Sequence, residues 1–151
     1  MPARPNARSG WGIRILRYLG ALCILASGVV HLELWRQSYH AVPVIGPLFL
    51  LNVVAAAVIG IGLLLKPEGF LALGGLLFAT ATLAAFVLST SIGLFGFTTG
   101  WDASAVQAAA AEIGAVVVLL AWWGLSRRKR GAAPLGERAE ELPVNEMRNS
   151  A

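Results

Sequence analysis

Four apolar runs, each about as long as a lipid hydrocarbon layer is thick, alternate with short polar turns along this chain. They cover about residues 13–35, 44–65, 70–94 and 103–125. A helix rises about 1.5 Å per residue, so roughly 20 apolar residues cross the ~30 Å core of a bilayer. The charges point the same way. Between Arg17 and Arg127 stand only Glu33, Arg36, Lys66, Glu68, Asp102 and Glu112. A soluble core of that length could not keep its surface hydrated with so few charges, and a bilayer removes the need. Over all 151 residues the charged share is 13%, against roughly 25% in an ordinary soluble domain. The expected fold is all-α: a four-helix transmembrane bundle.

The turns carry the usual breakers. RQSYHAVP separates the first two runs, with Pro43 and Pro47 bracketing it, and Pro47 suits the first turn of the second helix. Lys66, Pro67, Glu68 and Gly69 make a tight second turn. The third connection is FGFTTGWDAS, in which Asp102 or Ser104 is placed to cap the last helix. Tyr18, Trp35, Trp122 and Trp123 fall at run ends, where amphipathic rings settle at a membrane interface. Residues 1–12 are expected to form a disordered N-terminal tail and 126–151 a flexible C-terminal one, with GERAEEL as a short helix within it.

An even number of spans puts both termini on one side. Eleven of the twelve Lys and Arg residues then share that side, and only Arg36 lies across the layer. Short basic flanks are retained in the cytoplasm, so both termini are expected there and the protein in the plasma membrane. The net charge of +4 invites a nucleic-acid reading, but the excess sits at span ends and does not interleave with aromatics, so no nucleic-acid partner is expected. Cys23, the single cysteine, reads as a small buried hydrophobe. The first run is too long for a removable leader and reads as a retained anchor.

Few polar groups enter the layer, and they converge in depth. Measured from the outer ends of their spans, His31 lies roughly 6 Å inward, Asn52 roughly 10–12 Å and Glu112 roughly 13 Å. Ser89 and Ser91 share that outer half, while the cytoplasmic half is almost pure hydrocarbon. An acid near mid-span costs about 2.5–3.5 kcal/mol to insert, so Glu112 is the sharpest signal. Ala105, Ala108, Ala109 and Ala115 give it a small-residue face, and Asn52, Ala56 and Gly60 form a similar stripe. His31, Asn52 and Glu112 are therefore the leading candidates for a ligand or proton site, with Glu33, His40 and Ser89 secondary. The competing reading of Glu112 is a structural acid, bonded to His31 or Asn52, that only glues the bundle. Glu33 is expected to pair with Arg36 at the water boundary, and His40 to be a loop residue.

The spacing of His31, His40 and Glu112 matches no compact metal motif, which leaves a metal undecided. A haem between two histidines does not fit, because only His31 lies inside the layer. No nucleophile elbow, phosphate loop or paired cysteine is present, so no cofactor and no catalysis are expected.

The stretch HLELWRQSYHAVPVIGPLFLLN with the Ala/Gly-rich span after it, and the later GLFGFTTGWDA, resemble a group of small four-span actinobacterial membrane proteins. The resemblance covers roughly residues 13–125 and implies a membrane bundle with no catalytic residues to transfer. In size and span number the chain is also similar to DoxX-like proteins and to small multidrug-resistance pumps, although the pumps carry their acid in the first span and Glu112 lies in the fourth.

Three functions fit these residues. The first is a non-enzymatic structural or accessory subunit that packs with itself or with another membrane protein. The second is a small carrier or binding protein using His31, Asn52 and Glu112 for a proton, a small cation or a small ligand. The third is a redox accessory protein that binds quinone or haem.

Overall fold

The computed structural model describes residues 7–131 apart from Phe97. Four helices account for nearly all of this: α1 (Ala7–Gln37), α2 (Ile45–Leu65), α3 (Gly69–Ser91) and α4 (Ala103–Gly131), with a 3-10 turn at Tyr39–Ala41. All four are long and apolar enough to cross a membrane. The C-terminal tail beyond residue 131, with its GERAEEL segment, lies outside the described residues.

The helix ends follow local chemistry. α2 stops where Lys66 turns extended ahead of Pro67, whose ring disfavours helical geometry in the preceding residue. α3 ends at Ser91, three residues before the expected limit of its span. Gly93 there has φ 83°, a left-handed conformation that glycine adopts freely and that terminates helices. Asp102 is the cap of α4, its Oδ1 accepting from the backbone N–H of Ala105 at 2.8 Å. α2 has a less ordinary start. Val44 sits at φ 68°, ψ −51°, and the N–H of Ile45 donates back to the carbonyl of Pro43 at 2.8 Å, a γ-turn of the strained hand.

Two expected tails are partly helical. α1 begins at Ala7 and α4 runs to Gly131, so residues 7–12 and 126–131 continue the spans. A helix already nucleated in the membrane adds residues cheaply. Arg127 and Arg128 near the C-terminal end of α4 also suit the negative pole of its dipole.

The helices form an antiparallel ring in chain order. Gly28 faces Ala56, and Gly60 faces Leu25, which sets α1 against α2. Gly62 meets Leu71 between α2 and α3, and Gly75 meets Leu119 between α3 and α4. Gly20 against Leu119 and Gly114 against Cys23 close the ring between α4 and α1. The core is dominated by small side chains: Ala21, Ala56, Ala72, Ala79 and Ala115 are each at most 3% exposed, with Ile24, Leu63, Leu119 and Trp122 between them. Large apolar residues such as Val29, Leu51, Leu77 and Val117 point outward. This is the arrangement a bilayer favours. Lipid solvates large side chains as well as a core would, and close backbone approach requires small ones.

Candidate functional site

Ser27 and His31 are one helical turn apart, so they share the face of α1 that meets α4. Opposite them is Glu112, 1% exposed and set among the buried Ala105, Ala108, Ala109 and Ala115. Ser27 Oγ donates to Glu112 Oε1 at 3.2 Å. His31 Nδ1–H donates to the backbone carbonyl of Ser27 at 2.8 Å, a geometry that assigns the ring proton to Nδ1 in the neutral imidazole. Nε2 then faces Glu112 Oε1 across 4.0 Å. Glu112 Oε2 is buried without a hydrogen-bond partner.

A cavity of about 390 Å³ lies beside this cluster, at the end of the bundle opposite the start of α1 and the end of α4. His31 and Asn52 both line it; Glu112 lies behind His31 and does not. The His31 ring meets the edge of Phe49 at 5.1 Å, and Phe49 in turn lies 4.9 Å from Tyr39, which covers the cavity from the 3-10 turn. On the other wall Asn52 Nδ2 donates to Thr82 Oγ1 at 3.1 Å, and Thr82 donates to the carbonyl of Phe78 at 2.9 Å. Asn52 Oδ1 is left buried and unpartnered. Leu48 and Leu51 of α2 and Ala81 of α3 line the cavity and are also exposed on the outside of the bundle, as is Asp102 at the start of α4.

The structure thus places the sequence candidates in three groups. His31 and Glu112 are neighbours, with Ser27 joining them. Asn52 lies across the cavity from them, bonded to α3, so a hydrogen bond from Asn52 to Glu112 is not formed. Ser89 is buried and lines the same cavity. Glu33 and His40 are outside it. Glu33 is exposed and accepts from Gln37 Nε2, four positions on along the helix surface, at 2.8 Å rather than pairing with Arg36. His40 Nδ1 meets the Trp35 carbonyl at 3.1 Å, where it ties off the end of α1. Ser27 and Thr82 were not singled out from sequence, since a hydroxyl in a span is as often bonded to its own helix. The four-residue spacing of Ser27 and His31 was the available signal. Among the described residues, no three His, Cys, Asp or Glu side chains gather as a metal site would require.

Fold and site together define a four-helix membrane-spanning bundle with a cavity lined from all four helices and a buried acid–imidazole–hydroxyl cluster behind it. No protein-family model, curated protein or solved structure matches the chain.

Proposed function

We propose that this is a non-enzymatic multi-pass protein of the plasma membrane, both termini cytoplasmic, that holds a small, mainly apolar molecule in the cavity beside His31 and Asn52. The observation that carries this reading is the cavity itself. Its volume falls within the ~300–1,000 Å³ range of small-molecule sites, and its walls are mainly apolar with a few convergent polar groups. A subunit serving only to pack against partners needs no such space, so binding is favoured over the accessory role. Leu48, Leu51 and Ala81 bring the cavity wall to the outer, lipid-facing surface of α2 and α3, which suits a ligand already dissolved in the bilayer. Asn52 Oδ1, an acceptor without a partner, suits a ligand that carries one hydroxyl or N–H donor.

The test uses 1-naphthol as the probe, an apolar phenol small enough for the cavity. Purified protein in nanodiscs should bind it saturably above the background of empty discs. A85W, which fills the cavity from α3, should weaken binding about tenfold or more. Binding that is unaffected by A85W in a protein of unchanged helicity would sink the reading. The orientation has its own check. A reporter joined to the C-terminus should be active only when its folding requires the cytoplasm.

A further inference from the structure

We propose a second site at the other end of the bundle, one that binds a phosphate group carried by an anionic lipid. It is independent of the cavity beside His31. The first turn of α3 and the last part of α4 enclose a pocket of about 380 Å³, with Trp122, Ser126 and Arg127 on its α4 side and Gly69, Phe70 and Leu73 on its α3 side.

Among the described residues, the polar side chains around this pocket are donors. Trp122 is only 4% exposed, and its Nε1–H is buried without a partner. An indole N–H can only donate, so it asks for an acceptor. The Arg127 guanidinium is held over the Trp123 ring, 4.0 Å from its centroid, which fixes a positive charge at the rim. Ser126 adds a hydroxyl. The N-cap of α3, Glu68, makes no side-chain capping bond, so the first amides of a 23-residue helix remain to be satisfied. Those amides and the positive pole of the helix favour an anion. Glu68 itself is exposed and does not line the pocket.

Three kinds of donor beside a fixed cation, with no carboxylate among the described residues of the pocket wall, make the chemistry of phosphate recognition. The source of the phosphate follows from the surface beside it. Phe70, Leu73 and Leu77 are 69%, 49% and 62% exposed. Their spacing puts them on one face of α3, an apolar track leading from the pocket toward mid-membrane. A headgroup in the pocket would lay an acyl chain along that track. Basic pockets between membrane helices bind anionic lipid headgroups in this way.

The test is native mass spectrometry of the delipidated full-length protein in detergent, offered phosphatidylglycerol or phosphatidylcholine. A parallel arm follows line broadening of inorganic phosphate by phosphorus NMR. One phosphatidylglycerol should be retained per chain in preference to phosphatidylcholine. W122F, which keeps the ring and removes the N–H, and R127Q should each reduce retention about fivefold or more. R14Q, an exposed arginine outside the pocket, should leave it unchanged. Phosphate broadening that depends on Trp122 without lipid preference would keep the anion site and assign its source to free phosphate. Retention that falls with R14Q as much as with R127Q and ignores W122F would overturn the site in favour of diffuse attraction to basic flanks. Should W122F lose helicity, R127Q against R14Q decides alone.

Discussion

Glu112 Oε1 accepts the Ser27 hydroxyl at 3.2 Å and stands 4.0 Å from His31 Nε2, so one oxygen of a buried acid on α4 bonds to α1 and lies beside its imidazole. The imidazole is held by its other nitrogen on the Ser27 carbonyl, so it cannot turn away without losing that bond. The cluster therefore ties two helices together and sets the ring that walls the cavity.

If Glu112 holds α1 to α4 chiefly through its oxygen, isosteric and truncating changes should differ. E112Q keeps the volume and an acceptor for Ser27, and is expected to cost less than about 1.5 kcal/mol. E112A leaves a void and strands Ser27, and is expected to cost about 2–4 kcal/mol. Reversible unfolding in mixed micelles measures both, and equal losses would show that the Ser27 bond contributes nothing.

Gly28 lets α1 come close to α2 at Ala56. A Cβ on Gly28 would lie 2.7 Å from that of Ala56, so G28A must push α1 off α2. The expected cost is about 1–3 kcal/mol. Because the clash is with a single methyl group, A56G in the same chain should recover at least half of it. A double variant no more stable than G28A in the unfolding assay would place the damage elsewhere.

The cap of α4 gives a cleaner contrast. D102A removes the acceptor of the Ala105 N–H and should destabilise by about 0.5–2 kcal/mol, whereas D102N retains an oxygen and should stay near the parent. Thermal melts followed by circular dichroism distinguish the pair.

Val44 holds a conformation that a β-branched residue rarely adopts, at a cost of about 1–3 kcal/mol. V44A keeps the strain and V44G relieves it, so V44G should be the more stable of the two despite the extra entropy of glycine when unfolded. The reverse order in the same melts would mean that the turn is not strained.

How much of this was legible beforehand depended on range. Span number, the breaks at Pro43 and Pro67 and the capping role of Asp102 are local, and each followed from residues within a few positions of one another. The inward placement of Glu112 was also legible, because its alanine face could pack only on another helix. The pairing of Asn52 with Thr82 instead of Glu112 was not. Both partners lay at compatible depths, and depth says nothing about which way a helix is rotated. Glu33 illustrates the same limit in small. Arg36 and Gln37 were both within reach, and only the side-chain directions on the folded helix select Gln37.

By itself the sequence determined a membrane bundle of four helices, because hydropathy, length and helix-breaking residues act along the chain and need no knowledge of neighbours. Only the tertiary structure decided that His31 and Asn52 wall a common cavity with Glu112 set behind it, and that Trp122 is left with an unmet donor at the opposite end. Those relationships depend on the rotation and register of each helix. Contacts such as Gly28 on Ala56 and Gly75 on Leu119 set these, between residues far apart in sequence whose smallness gives no sign of which partner they will meet.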